Sequence, residues 1–430
     1  MNKFLIVILL LLTVKLSSQE LLTAEDAVKI GLQNNYNIKI AANNAAEDSI
    51  RNSAGAAGML PSVYLLGGIS KTQNNLHQQY TNGNEIISPN AGGVSMNAGV
   101  ALDWTLFDGT KMFVTKEKLE QIKLIGNYNF RVQVINTSAD VLIAYYDVVR
   151  YAIQVKATDE IINYNQERVK ITDSRNKAGL GPKTDLLQAQ IDLNNQKQVR
   201  LDLILALNSA KQYLNVLLAR DVNTPFTPAD TIAINALQNR TELEQKMFSN
   251  NPSLLALETQ QNVAALTYRE NRTQYFPTIT GNAGYNFVRN QNTAGFTLYS
   301  QTYGWNAGLT LRMPLYSGGS LRRQDQINRI EMQNAEFTYE GAKLSARLAL
   351  AQSLNIFDSY MLSLALEEEN KALATENMNL TLERLRLGQG TALEVGQAQA
   401  TLAGVLYQLA GLQYDVKTTE INIHRQAADL

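Results

Sequence analysis

The feature that most constrains this 430-residue chain is that it is written twice. Sliding the sequence against itself by about 216 positions places Asn34-Asn35 on Asn250-Asn251 and Pro61 on Pro277. A slide of about 209 then places Leu106-Phe107-Asp108-Gly109 on Leu315-Tyr316-Ser317-Gly318. The same slide puts Gly179, Gly181, Asp185 and Gln188-Ala189-Gln190 on Gly388, Gly390, Glu394 and Gln397-Ala398-Gln399. A period this long marks a duplicated, domain-sized unit rather than a solenoid repeat. It divides the chain into a first repeat at 20–220, a linker at 221–240 and a second repeat at 241–430. Whatever one half folds into, the other must fold into as well.

Each half reads as helix, two strands, very long helix, turn, helix. The opening helix of the first half is predicted over 23–58, with Thr23 as its N-cap and Pro61 as its stop. From Val94 the chain alternates strictly: Val94, Met96, Ala98, Val100, Leu102, Trp104 and Leu106 share one face, Ser95, Asn97, Gly99, Asp103 and Thr105 the other. The second half repeats this with Tyr303, Trp305, Ala307, Leu309, Leu311 and Met313 against Gly304, Asn306, Gly308, Thr310 and Arg312. The partner strands, predicted at 63–69 and 279–287, alternate less cleanly, and the polar segments 71–92 and 289–301 are predicted as long exposed loops.

Stretches without a helix breaker follow at 110–176 and 320–387. At 1.5 Å per residue each could run on the order of 100 Å, several times the length of an ordinary globular helix. The last helices, at 184–219 and 393–428, are about half as long, which predicts a bundle of rods with all turns at one end. Val395, Leu402, Leu409, Val416 and Ile423 recur every seven residues, as do Leu186, Leu193, Leu207 and Leu214 with an interruption at Arg200. A sustained heptad is coiled-coil packing.

Composition narrows the function. Lys3, the apolar run 4–12 and the small pair Ser17-Ser18 predict a signal peptide over 1–19, too short to span a bilayer as a helix. Cysteine is absent, which removes disulfides, thiolate metal sites, thiol nucleophiles and a lipidated N-terminal Cys. Net charge is −1 and no Lys/Arg cluster suggests nucleic acid. His77, read as lying in a polar loop, and His424, near a helix end, have no partner close in sequence. There is no Ser/His/Asp order, nucleotide loop or phosphate cradle, and Glu367-Glu368-Glu369 reads as a solvated helix face. The expectation is a protein without catalysis, metal or cofactor.

Both tryptophans fall in the alternating strands, as do Tyr64, Phe107, Tyr285, Phe287, Tyr303 and Tyr316. An apolar face with aromatic ends is what a bilayer-crossing strand needs, and about ten tilted residues suffice. Trp104, Phe107, Tyr285, Trp305 and Tyr316 are the expected membrane-interface aromatics. The competing reading is a soluble sheet with one buried face, but no other segment is an obvious cover for it. Four strands cannot close, and an open edge in lipid costs several kcal/mol per unpaired group, so copies must join. Two copies give eight strands and three give twelve; both remain open.

The ordered set, in both halves, of helix, hairpin, helix and helix, with Leu60-Pro61 and Phe276-Pro277 before the strands and Gly-x-Gly turns followed by Gln-Ala-Gln, resembles the TolC family of outer-membrane efflux proteins. The resemblance covers essentially the whole mature chain. It implies a mixed α/β membrane protein, mostly long α-helices in a coiled-coil barrel, with four transmembrane β-strands per protomer contributing to a trimeric 12-stranded β-barrel. It implies a cell outer-membrane location with the helices in the periplasm, and a porin-like exit duct of a tripartite efflux pump or type I secretion system. The implied partners are the homotrimer, a periplasmic adaptor (membrane fusion) protein, an inner-membrane transporter and outer-membrane lipid.

On this chain the hairpin tips fall at 175–183 and 384–392, and Gly179, Leu180, Gly181, Leu387, Gly388 and Gly390 are the implied adaptor contacts. Glycine supplies the left-handed conformation and close approach such turns use. Asp185 and Glu394 just beyond are the implied tunnel-mouth acids, and a ring of them would favour cations. The plainer reading is first-turn acids favoured by the helix dipole. The sequence departs from a salt-bridged gate: Gln397 is neutral, and Leu385 and Gly390 offer no side chain for a polar lock. The alternative class is an exported coiled-coil structural or adhesive surface protein, which explains heptads and export but not amphipathic strand pairs in both halves.

Overall fold

The computed structural model describes residues 20–229, 231–235, 237 and 239–429. The segment 1–19, expected to be a signal peptide, lies outside the described residues. In chain order the elements are β1 (Glu20–Leu22), α1 (Ala24–Asn34), α2 (Tyr36–Arg51), β2 (Ser62–Gln79), β3 (Glu85–Phe107), α3 (Lys111–Lys177), α4 (Lys183–Leu217) and β4 (Phe226–Pro228). They continue with α5 (Arg240–Asn250), α6 (Pro252–Arg272), β5 (Thr278–Asn292), β6 (Tyr299–Arg312), α7 (Ser320–Arg386) and α8 (Ala392–Ala427). The helices α3 and α7 hold 67 residues each.

Positive-φ backbone recurs at a constant spacing of 209: Gly109 and Gly318, Thr110 and Gly319, Gly179 and Gly388, Ala219 and Ala428. Each is a turn or helix end, where the chain needs the left-handed region. The opening helix is two helices rather than one. Asn35 leaves helical geometry (ψ 128°), its Oδ1 accepts from Asn37 N–H at 2.8 Å, and its Nδ2 donates to Leu217 O at 2.9 Å. Asn251, between α5 and α6, donates to Gln426 O at 2.9 Å in the same way. A short amide side chain that bonds nearby backbone competes with the helix ladder, and here it also ties the break to the last helix of its own half.

The chain forms two compact units, each drawing on both halves. One comprises the chain up to Ala41, Arg131–Pro252 and the chain from Leu344; the other comprises Ala42–Phe130 and Ser253–Lys343.

In the first unit the α8 heptad is the core: Val395, Leu402, Leu409, Val416 and Ile423 are all buried. A separate cluster gathers Leu22, Val141, Tyr145, Leu214 and Phe226 around the short parallel pair β1–β4, and Tyr145 OH donates to Leu22 O at 2.9 Å. Asn235 of the linker rests on the buried Glu420, which also pairs with Lys417 at 2.9 Å. Glu367 corrects the expectation of a solvated Glu367-Glu368-Glu369 face: it is buried and accepts from Asn370 at 3.1 Å.

The second unit carries one antiparallel sheet, ordered β2-β3-β5-β6. The segments expected to be long loops are largely strand. Pairing of β2 with β3 runs from Ser62↔Asp103 to Gln79↔Glu85, with a bulge between Asn74 and Leu76, and closes through a five-residue turn with Gly83 at φ +86°. Polarity reports the medium around a strand, and a continuous hydrogen-bonded ladder needs no apolar side chains to extend. His77 therefore sits in β2 and hydrogen-bonds Glu85 across the hairpin. Tyr316 lies beyond the end of β6, exposed, rather than in a strand.

Directly paired residues share a face, so the register defines two surfaces. On one lie the rows Leu65–Val100–Tyr285–Trp305, Gly67–Ala98–Phe287–Tyr303 and Val63–Leu102–Ala283–Ala307, followed by Trp104–Gly281–Leu309. On the other lie Ser70–Ser95–Asn290–Ser300, Leu66–Gly99–Asn286–Gly304 and Ser62–Asp103–Asn282–Gly308. One face is greasy and aromatic, the other built mainly from Asn, Ser and Gly.

Candidate functional site: the hairpin tips and the apolar belt

The tip turns are built the same way twice. After α3, Gly179 takes φ +71° and Leu180 N–H donates back to Arg175 O at 2.8 Å; after α7, Gly388 takes φ +77° and Gln389 N–H donates to Arg384 O at 2.8 Å. These are helix ends that need a residue without a Cβ penalty. Of the two uses of glycine expected in these turns, Gly181 and Gly390 serve only the close approach, because neither is left-handed. A Cβ on Gly181 would stand 3.3 Å from Arg175 Cβ, and one on Gly390 3.2 Å from Arg384 Cβ. Each arginine folds over its own turn, Arg175 Nη2 donating to Leu180 O at 3.4 Å and Arg384 Nη2 to Gln389 O at 3.2 Å.

One bond breaks the symmetry. Arg175 Nη1 donates to Leu385 O at 2.9 Å and so ties the first turn to the second. Leu385, noted in the sequence as having no side chain for a polar lock, takes part through its backbone carbonyl. Sequence reasoning missed both arginines, although Arg-x3-Gly-x-Gly stands at both turns as their signal. Around these turns the apolar side chains of Leu180 and Leu387 are left 72% and 64% exposed.

Asp185 lies in the first turn of α4, and Glu394 in the first turn of α8. Glu394 has a local structural role, because it completes a capping box: it accepts from Thr391 N–H at 3.3 Å while Thr391 Oγ1 accepts from Glu394 N–H at 3.2 Å. Arg384 stands 4.0 Å away. No hydrogen bond or ion pair joins the two acids among the described residues.

Above the tips a second feature escaped the sequence reading. Arg168 of α3, almost wholly buried, donates to Asp192 of α4 at 2.8 Å and to Gln399 of α8 at 3.1 Å. Gly396 makes room for it, since a Cβ there would lie 3.1–3.3 Å from the guanidinium. The three helices border a polar cleft of about 400 Å³ that includes Asn165, Gln188 and Gln196.

The apolar face of the sheet forms a belt. From Met96 to Leu106 is ten steps, about 33 Å along the strand at ~3.3 Å per residue, or about 25 Å in height at a tilt of roughly 40°. That is the hydrocarbon span a membrane β-barrel presents. Trp104, Tyr285 and Trp305 lie in it, Phe107 at its lower end, and Tyr316 past the strand. Among the described residues no helix is long and apolar enough to cross a membrane, and no group of metal-ligating side chains gathers.

Comparison with known proteins gives consistent results. The sequence profile of the outer membrane efflux protein family matches residues 29–220 and 243–427. The outer membrane efflux protein BepC of Brucella suis is 23% identical over 326 residues, covering 74% of this chain and 69% of BepC. The outer membrane protein TolC of Salmonella enteritidis is 24% identical over 360 residues, covering 77% and 70%. The solved outer membrane channel CmeC of Campylobacter jejuni superposes with a TM-score of 0.77 at 14% identity, over 94% of this chain and 85% of that one. A mostly helical chain with a four-stranded sheet, the duplicated tips and a profile match over both halves therefore lead to one assignment: the chain belongs to the outer membrane efflux protein family.

Proposed function

We propose that this chain is the outer-membrane exit duct of an efflux pump, and that three copies seal one twelve-stranded β-barrel. It is a transport protein of the outer membrane rather than an enzyme. The observation that carries the proposal is the two-faced sheet: a greasy belt on one side, Asn, Ser and Gly on the other, with β2 and β6 left as free edges. Strand direction alternates along the order β2-β3-β5-β6, so β6 of one copy can pair antiparallel with β2 of the next. Eight strands enclose an interior that side chains fill, while twelve leave room for water, which suits the small polar face. The two repeats, joined by the linker at 221–240, supply one hairpin and one helical tip each.

At the tips, Leu180 and Leu387, shaped by Gly179, Gly181, Gly388 and Gly390, form the surface for a periplasmic adaptor that links to an inner-membrane transporter. Asp185 and Glu394, repeated by symmetry, give the mouth its cation preference. The belt is tested by Leu65→Arg, in the mid-belt row with Val100, Tyr285 and Trp305, against Asn282→Arg. The first puts a charge on the lipid face at a cost of about 2–4 kcal/mol and should strip the protein from the outer membrane. The second should assemble normally and alter only conductance. The reverse pattern would invert the two faces and end the proposal. Leu180→Asp with Leu387→Asp should abolish export while trimer and conductance persist; normal export would remove the tips as docking sites.

A further inference from the structure

Below the belt, at the foot of β3 and β5, lies a cleft of about 560 Å³ that the duct function does not use. Its floor is Tyr268, flanked by two guanidinium groups: Arg272 at 5.9 Å and Arg329 at 5.6 Å from the ring centre. Arg269 also lines it, paired with Glu117 at 3.1 Å, and Arg329 pairs with Asp325 at 3.2 Å. Arg272 has no carboxylate and no hydrogen-bond partner among the described residues, so its charge faces solvent unmatched. Arg322 lies on the same face of α7, seven residues before Arg329. Three arginines thus line the cleft against a single lining acid, Asp325. At the upper rim Tyr275 and Phe276 are 44% and 55% exposed, and the belt begins three residues on with the row Ile279–Leu311.

We propose that this cleft binds the headgroup of an anionic phospholipid, Arg272 and Arg329 holding the phosphate while the acyl chains lie along Ile279, Leu309 and Leu311. Guanidinium groups recognise phosphate oxygens by paired, charge-assisted hydrogen bonds, and aromatic side chains settle at the level of lipid headgroups. A free anion would account for the arginines but not for exposed aromatics placed between them and a greasy strand face. The inference rests on the reading that the sheet lies in the outer membrane.

The test is native mass spectrometry of the full-length assembly in mild non-ionic detergent, titrated with phosphatidylglycerol. Wild type should retain the lipid roughly tenfold or more tightly than the double variant Arg272→Gln/Arg329→Gln, about the loss of one charge-assisted bond. Lys343→Gln, a surface lysine elsewhere on α7, should bind as wild type does. Equal retention by the double variant would overturn the site. Displacement by excess inorganic phosphate would overturn the lipid as its occupant, and equal retention of phosphatidylethanolamine would overturn the preference for a net negative headgroup. Planar-bilayer currents from the same preparations separate the two readings: currents without selective lipid retention sink only this site, and absence of currents in wild type sinks the duct itself.

Discussion

Arg175→Met separates the bond that ties the two tip turns together from the bonds that shape each turn. Methionine keeps much of the aliphatic stem but removes the donor to Leu385 O at 2.9 Å and the longer one to Leu180 O at 3.4 Å. A hydrogen bond from a charged donor contributes about 1.5–3 kcal/mol, and the half-exposed position of Arg175 argues for the lower end. If the mouth of the proposed trimer opens by parting its hairpins, three such bonds break together. About 1.5 kcal/mol in each copy then sums to about 4.5 kcal/mol, which shifts the open population on the order of a thousandfold. Single-channel recording in planar bilayers reads this directly as the frequency of wide-open events. Arg384→Met is the matched control, because its guanidinium donates to Gln389 O of its own turn and, among the described residues, to no other turn. The reasoning is refuted if Arg175→Met leaves opening unchanged, or if Arg384→Met opens the channel equally.

Three further outcomes follow from the geometry. Glu394→Gln should weaken cation preference without loss of stability, because glutamine can complete the capping box with Thr391, whereas Glu394→Ala should lose both, at about 1 kcal/mol; unchanged selectivity would leave Glu394 as a cap alone. Thr110→Gly should raise thermal stability by about 1 kcal/mol, since Thr110 holds φ +75° where the second half has Gly319 at +72°, and relieved strain exceeds the entropy glycine loses; a lower melting temperature would contradict this. Glu270 is partly buried, which opposes its charge, yet hydrogen bonds from Lys118 and Thr115 hold its carboxyl below the usual 4.5. A depressed carboxylate stabilises the fold above its unfolded value and loses that contribution as pH falls through the folded one. Melting curves should therefore fall below about pH 4.5 in wild type, and Glu270→Gln should remove that part of the dependence; identical curves would dismiss the pair.

The parts legible in the sequence were those written in periodicity and punctuation. Helix-breaker-free stretches marked α3 and α7 to within a residue or so, and the α8 heptad named its own buried seam. Strand length was not legible, because residues such as Gln73, Asn74 and Gln78 say where water is and leave backbone pairing undetermined. Asn35 aligns with Asn251, but its role needs Leu217, far along the chain. Arg168 looks solvated among polar neighbours; only Gly396, in the middle of a long helix, hints that something bulky packs there. Glu394 stands out in the sequence as a candidate mouth acid, and its spacing from Thr391 already announces a cap.

The pairing of β3 with β5 joins the two hairpins into a single surface, and leaves β2 and β6, the sheet's outer strands, with one unpaired edge each among the described residues. In the proposed trimer a lone protomer is for that reason an unfinished object. Its backbone donors and acceptors along Ser62–Gln79 and Tyr299–Arg312 await a sister chain, and until one arrives they invite any stray β-segment in the periplasm. In such an assembly stability is a property of local concentration rather than of one molecule, so expression level and chaperone supply should govern yield as strongly as any contact in the core.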